Sequence, residues 1–310
     1  MINGFYRIIS NGEVVAESKN MITANGLLAI NSFLSGQTRS WAGSLAIGTL
    51  NSASTNSATT ALQYEIARYP VSFISYVAGS PNLQVVKATI DPSADFDIYE
   101  IGIIPVRVDP NSYTDNFRIT TFSEFSGPTS NWSYNNGVSV TTASSNPGPR
   151  SGGVTLVLPV TVVSTTNTAS IGGQSLDTSI YNSNDTLSLL YYSTAALTSS
   201  VTVTFGDSSS VQLPWTGSAV ASPAASGFYG LSLPLVTKPA GWSDPVVSLS
   251  VTFYGSSGSV YLDHLKFAQG QQTTSEFQLA SRTVAATTAS PIFSKVYSQP
   301  MDIEYYIQVT

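Results

Sequence analysis

Apolar and polar residues alternate cleanly at the end of the chain, in "MDIEYYIQVT". Ile303, Tyr305, Ile307 and Val309 share one face, and Asp302, Glu304, Gln308 and Thr310 share the other, the period of a strand with one buried side. The same period recurs in "VVSLSVTFYG", where Val247, Leu249, Val251 and Phe253 oppose Ser248, Ser250 and Thr252. At the start, "FYRIIS" and "EVVAES" flank Asn11-Gly12, the dipeptide best suited to a two-residue hairpin turn. A helical period stands out once, in "MITANGLLAINSFLSG". Leu27, Ile30 and Leu34 predict the buried stripe, Leu28 and Phe33 widen it, and Gly36 stops it.

Strands fill most of the remainder. "SFISYVAG", "NLQVVKATI" and "DIYEIGIIPVRV" are separated by Gly, Pro, Asn and Asp. Beyond them "GGVTLVLPVTVV", "DTLSLLYYST", "SVTVTFGD", "YGLSLPLV", "PVVSLSVTFYG" and "GSVYLDHLKF" follow in quick succession with no helical pattern between them. That succession predicts an antiparallel sandwich or jelly roll. No fixed repeat suggests a solenoid or propeller, and no heptads suggest a coiled-coil shaft.

Composition places a boundary. Only 10% of the residues are charged, and between Tyr113 and Ala268 just 11 of 156 are. Outward strand faces must therefore carry hydroxyls and amides. The net charge of −6, with basic residues scattered singly, argues against a nucleic-acid partner. The absence of cysteine excludes a disulfide scaffold, a thiol nucleophile and a Cys-ligated metal. No apolar run approaches the ~20 residues of a membrane helix, and "MINGFYRIIS" lacks the pattern of a signal peptide.

One stretch sets a puzzle. In "TLNSASTNSATTALQYEIARYP", a Ser/Thr/Asn tract runs straight into Leu62, Glu65 and Arg68, two opposite charges in a chain poor in charge. The tract reads as a solvated loop, Leu62 as a core anchor, and Glu65 with Arg68 as a local pair that fixes where the chain re-enters a sheet.

In chain order these segments resemble peripheral virion proteins of tailed bacteriophages, including the N-terminal domain of tail-collar fibre proteins. The matching positions are Thr23, Gly26, Gly48, Thr60, Leu62, Glu65, Arg68, Glu100, Gly102, Arg282 and Lys295. The match covers residues 1–112 and 270–310, and it implies a split β-sandwich base domain with one short helix. The resemblance also implies docking on other virion proteins of capsid or tail, self-association (commonly as trimers), and a place in the virion after assembly in the host cytoplasm. Residues 113–269 would be an inserted domain. Its "DTLSLLYYST", "VTVTF" and "GWSDPVVSLSVTFYGSSGSVYLDHLKF" resemble jelly-roll carbohydrate-binding modules, which implies a host-surface glycan as a second partner. The candidate sugar contacts are Trp132, Tyr134, Trp215, Tyr229 and Trp242, with Asn135 and Asn136 as polar neighbours. Trp132, in "SNWSYNNG", is the ring expected to be most exposed.

Catalytic chemistry finds little support. His264 is the single histidine, and its neighbour Asp263 would point to the opposite face of a regular strand, so no Ser-His-Asp triad forms there. Glycoside hydrolysis needs two carboxylates in a recognisable setting, and none appears. Asp91, Asp95 and Asp97 lie close together but fit no EF-hand spacing, which leaves a polar turn. The expectation is a non-enzymatic virion structural protein without metal or cofactor, tail-associated or decorating the head. The alternative is an adhesin whose jelly roll binds the cell surface.

Overall fold

The computed structural model describes residues 2–37, 40–50, 57–74, 83–105, 118–120, 132–135, 140–144, 150–152, 155–160, 167–176, 178, 186–218, 228–233, 237–255, 258–268, 279–286 and 290–309. The chain divides into two compact units. The first, here the base, is Met1–Asn116 with Arg150–Gly152 and Gln272–Thr310; the second is Phe117–Pro149 with Gly153–Gln271. Both are built from antiparallel strands. Three residues inside the expected insert, Arg150–Gly152, thus belong to the base.

In the base, the hairpin forms as the sequence predicts. Strands β1 (Ile2–Ser10) and β2 (Glu13–Lys19) are joined by Asn11 and Gly12, whose φ angles of 52° and 82° give the turn its hand. The first sheet adds β23 (Met301–Val309), β7 (Leu83–Ile90) and β6 (Ser72–Ile74), in the order β2-β1-β23-β7-β6. Strands from opposite ends of the chain therefore lie side by side, Ile2 opposite Val309 and Ser10 opposite Met301. The second sheet comprises β3 (Met21–Ile22), β4 (Ser44–Gly48), β5 (Glu65–Pro70), β9 (Glu100–Ile104) and β21 (Ser281–Val284), in the order β3-β21-β9-β4-β5. A short ladder pairs β8 (Phe96–Ile98) with β22 (Phe293–Lys295). Alternate residues of the two sheets meet in one core that includes Ile8, Leu45, Ile47, Val86, Ile101, Ile303 and Tyr305.

The helix α1 (Ala24–Leu34) lies where the sequence places it, capped by the Thr23 hydroxyl accepting from the Gly26 amide at 3.0 Å. Its buried face is different. Gly26 and Ile30 are buried, and Ala29 and Phe33 pack on the core, whereas Leu27, Leu28 and Leu34 are exposed. The stripe has moved by one residue because α1 docks through its smallest side chain. A Cβ on Gly26 would come within 1.9 Å of the Ala280 carbonyl oxygen, so only glycine permits that approach.

The second unit is a jelly roll. One sheet has the order β12-β13-β20-β15-β18, from Thr141–Ala143, Thr155–Val160, Gly258–Ala268, Thr186–Ser193 and Tyr229–Leu233. Strand β10 (Arg118–Thr120) also pairs with β20. The facing sheet has the order β11-β14-β19-β16-β17, from Trp132–Tyr134, Asn167–Leu176, Val246–Gly255, Leu197–Asp207 and Gln212–Ser218. Successive strands β13 to β16 alternate between the sheets, as do β17 to β20, the crossing pattern of a jelly roll. Leu156, Leu189, Tyr191, Val203, Phe205, Val251, Phe253 and Leu262 fill the space between.

Candidate functional site

The motif residues of the base occupy its interior. Leu62 packs with Ala46, Ile104 and Leu279. Glu65 and Arg68 form a two-pronged ion pair, at 2.6 and 2.8 Å. Residues three apart in a regular strand face opposite ways. Here Glu65 pairs with Gly48 and Ala67 with Ile47, so Ile66 is an extra, bulged residue that brings Glu65 and Arg68 onto one face. The puzzle of "TALQYEIAR" is thereby answered: the charged pair marks a bulge at the entry to β5.

A second pair lies deeper. Arg282, on β21, donates to Glu100, on β9, both almost fully buried. The other Glu100 oxygen accepts from the Gln63 amide at 2.7 Å. Gly48 lies directly opposite Glu100, where a Cβ would come within 2.9 Å of that carboxylate. Gly102 pairs with both Ala46 and Arg282 under the Leu279 side chain.

Lys295, also buried, donates to the carbonyls of Pro92, Ala94 and Val296 at 3.1, 2.9 and 2.7 Å. Burial pulls its pKa down against the pull of Asp95 and Asp91. The Asp91 carboxylate accepts from Ser93 and closes its own turn, which holds its pKa below the usual range. Asp97 accepts from Ser294 at 2.5 Å, and burial raises its pKa. Arg150 lies 4.0 Å above the Tyr99 ring and donates to the Thr49 carbonyl at 3.0 Å. Of these, Lys295 and Arg150 are buried and tie distant segments together, whereas Asp91 is exposed and Asp97 half-buried.

The predicted sugar contacts are dispersed over the second unit. Trp132 is buried, which corrects the expectation of exposure. In β11 it stands opposite Ile171 and points into the core, because W-S-Y follows the strand period and Ser133 takes the outward position. Trp215, on β17, is buried edge-on against Phe205. Tyr134, Tyr229 and Trp242 are partly buried against the core. Tyr134 donates to the Pro159 carbonyl and, at 3.1 Å, to Asn167. The Asn135 side chain accepts from the Thr168 amide, and Trp242 lies beside Asp244. Asn136 falls outside the described residues.

A different set of aromatic residues does converge. On the outer face of the first jelly-roll sheet, Thr141, Val157, Tyr261 and Tyr192 stand opposite one another across β12, β13, β20 and β15. Phe228 extends this row. Tyr192 packs edge-on to Tyr261 with centroids 5.6 Å apart, and against Phe228 at 5.8 Å. Both tyrosines are half-buried, while Leu190 and His264, opposite each other in the same sheet, are fully covered. The strand β20 is bulged here, with Leu190 opposite His264 and Tyr191 opposite Leu262. The strict alternation expected of Asp263 and His264 is thus interrupted. The row is a half-buried aromatic strip on the outer face of the sheet, with a geometry suited to stacking on a ligand ring.

The opposite sheet presents an outer face of another kind. Thr168, Thr252, Thr202 and Thr216 form one row across four strands, linked by hydroxyl contacts of 2.8 Å (Thr168 to Thr252) and 3.0 Å (Thr202 to Thr216). Ser133, Ser170, Ser250 and Thr204 form the next.

No protein-family model matches the chain, and no curated protein matches it. Among solved structures, an exo-β-agarase is 13% identical over 50% of this chain and 25% of its own, with a TM-score of 0.34. The enzymatically active domain of tailspike protein 4 of bacteriophage CBA120 is 13% identical over 53% of this chain and 22% of its own, at 0.33. The C-terminal family 22 carbohydrate-binding module of a Clostridium thermocellum protein is 14% identical over 52% of this chain and 98% of its own, at 0.35. The chain thus spans a quarter or less of the first two proteins. Likenesses at these TM-scores carry no argument about what this chain binds or does.

Proposed function

We propose that this protein is a non-enzymatic surface component of a tailed-phage particle whose jelly-roll unit binds a neutral glycan along the Tyr261–Tyr192 row. One observation carries the glycan reading. Two tyrosines from neighbouring strands, half-open to solvent, lie in line with a threonine hydroxyl on the outer face of a rigid sheet. A sugar ring offers an apolar face for stacking and hydroxyls for the polar neighbours, and a row running across strands suits an extended chain of such rings. The phage setting rests on the order of motifs from Thr23 to Lys295, whose charged members hold the base together. The base would dock on capsid or tail proteins, and the jelly roll would supply recognition of the host surface.

The test uses the full chain with a panel of neutral polysaccharides and, in parallel, Tyr261→Ala and Tyr192→Ala. Saturable binding that weakens about tenfold or more in each variant, equivalent to ~1.4 kcal/mol, with an unchanged melting temperature, supports the reading. A folded protein that binds no member of the panel, or variants that bind as well as the parent, rejects it.

A further inference from the structure

We infer that Arg150–Gly152 is a latch that makes the edge strand β12 of the jelly roll, and with it the Thr141 end of the aromatic row, depend on the folded base. Strands β12 and β13 are joined through residues 144–154, and the middle of that connection belongs to the base. Three different interactions seat it there. The buried Arg150 guanidinium lies 4.0 Å over the Tyr99 ring and donates to the Thr49 carbonyl at 3.0 Å. The Arg150 carbonyl accepts from the Asp97 amide at 2.9 Å. Gly152 is buried with a φ of 94°, where a Cβ would come within 2.4 Å of the Asp95 carbonyl oxygen, so only glycine permits the approach.

What the seat does follows from the strand it serves. Among the described residues β12 is the outermost strand of its sheet, and it pairs with β13 only from Thr141 to Ala143. So short an edge has little stability of its own and opens locally before the sheet does. With its middle fixed, the connection gains less conformational freedom when β12 opens, and the closed strand is favoured. Thr141, exposed at the start of β12, stands at the head of the row formed with Val157, Tyr261 and Tyr192. Arg150 and Gly152 therefore act as positioning residues for the threonine hydroxyl of that row. Coupling of this kind is reciprocal: a ligand that holds Thr141 in the row also tightens the seat. This last link rests on the glycan reading, and the fastening of β12 does not.

Gly152→Ala unseats the segment without removing a charge, and Arg150→Met removes the guanidinium while keeping most of the apolar stem. In each full-length variant, hydrogen exchange in β12 is expected to quicken about tenfold or more, with β15 and β20 of the same sheet unchanged. Trypsin offers a second readout, because Arg150 is itself a cleavage site: cleavage after it should be slow in the parent and quicken by a similar factor in Gly152→Ala. Exchange that quickens in β8 and β9 of the base but not in β12 overturns the inference, since the seat would then serve the base alone. So does a parent cleaved after Arg150 as fast as a free peptide of residues 145–156, a result that does not depend on how the variants fold. A polysaccharide that the parent binds should, at saturation, slow both β12 exchange and this cleavage. Slowing of neither overturns the link to the row. A parent that binds no polysaccharide rejects the glycan row, and β12 exchange in the variants then decides the latch by itself.

Discussion

The two units meet the same packing requirement with different side chains. The jelly roll encloses leucine, valine and aromatic rings and buries Asp207, Asp263 and His264, with Asp207 at a turn, accepting the amides of Ser209, Val211 and Ser243. Every buried arginine and lysine among the described residues lies in the base: Arg68, Arg150, Lys295 and Arg282, the last paired with buried Glu100, together with the buried hydroxyls of Tyr6 and Tyr305. The difference follows the course of the chain. Base contacts join segments far apart in sequence: Glu100 to Arg282, Pro92 to Lys295, Thr49 to Arg150, Tyr6 to Ser281. A split domain must select its missing half from a long intervening chain. Apolar burial is nondirectional, whereas a buried carboxylate accepts only a partner in the right place. The ion pair contributes little net stability over an apolar substitute, but a wrong register would leave its charges buried and alone.

The largest expected effect comes from breaking that pair on one side. Arg282→Met leaves the Glu100 carboxylate buried without its partner, at a cost of about 3–5 kcal/mol. Loss of hydrogen-exchange protection should centre on β9 and β21, while β16 and β19 of the jelly roll keep theirs. The double variant Glu100→Leu/Arg282→Met should recover most of the loss, since no isolated charge remains. A double variant as unstable as the single one would show that the pair supplies stability itself, and the contrast between the units would disappear.

Some of this was legible in the sequence and some was not, for reasons that can be assigned to particular residues. The hairpin at Asn11-Gly12, the C-terminal strand and the position of α1 depend on local periodicity, and local periodicity is written in the chain. Glu65 and Arg68 stood out because charge is scarce, but their spacing needed the bulge at Ile66, which long-range pairing with β4 determines. The buried face of α1 turned on Gly26, whose absent side chain is a packing signal that a search for large apolar residues passes over. Trp132 is buried because the alternation in W-S-Y turns Ser133 outward, a two-residue signal that the polar surroundings of the segment mask. Tyr192 and Tyr261 lie in strands whose local period is plain, yet their meeting depends on the register of β15 against β20, 69 residues apart, and no local pattern encodes it.

Alkaline pH offers a smaller perturbation of the same contrast. Burial raises the pKa of Tyr305 to about 12, and burial together with the neighbouring Tyr305 raises that of Tyr6 well above its ordinary value. A phenol whose pKa is raised in the folded state contributes stability that is complete below its unfolded value near 10. That stability is lost as the pH rises through the folded value. Between about pH 10 and 12 the base should lose up to about 3 kcal/mol through Tyr305. Spectroscopic titration should show these two phenols ionising last, together with loss of β1–β23 protection. Early, reversible ionisation of both with the sheet intact would contradict the burial on which the comparison rests.

The smallest effect is expected on the hydroxyl face of the jelly roll. Thr202 touches Thr216 at 3.0 Å on an outward, partly solvated surface. Replacing it by valine keeps the shape and the β-branching that suits a strand, while water can take the place of the lost contact. Thr202→Val should change stability by no more than about 0.5 kcal/mol and leave glycan binding untouched, since the Tyr261–Tyr192 row lies on the opposite sheet. The two outer faces would then differ in kind, one an ordinary solvated surface and the other a recognition surface. If Thr202→Val abolished binding while Tyr261→Ala did not, recognition would lie on the threonine rows instead, and sheet rather than ring chemistry would have to explain it.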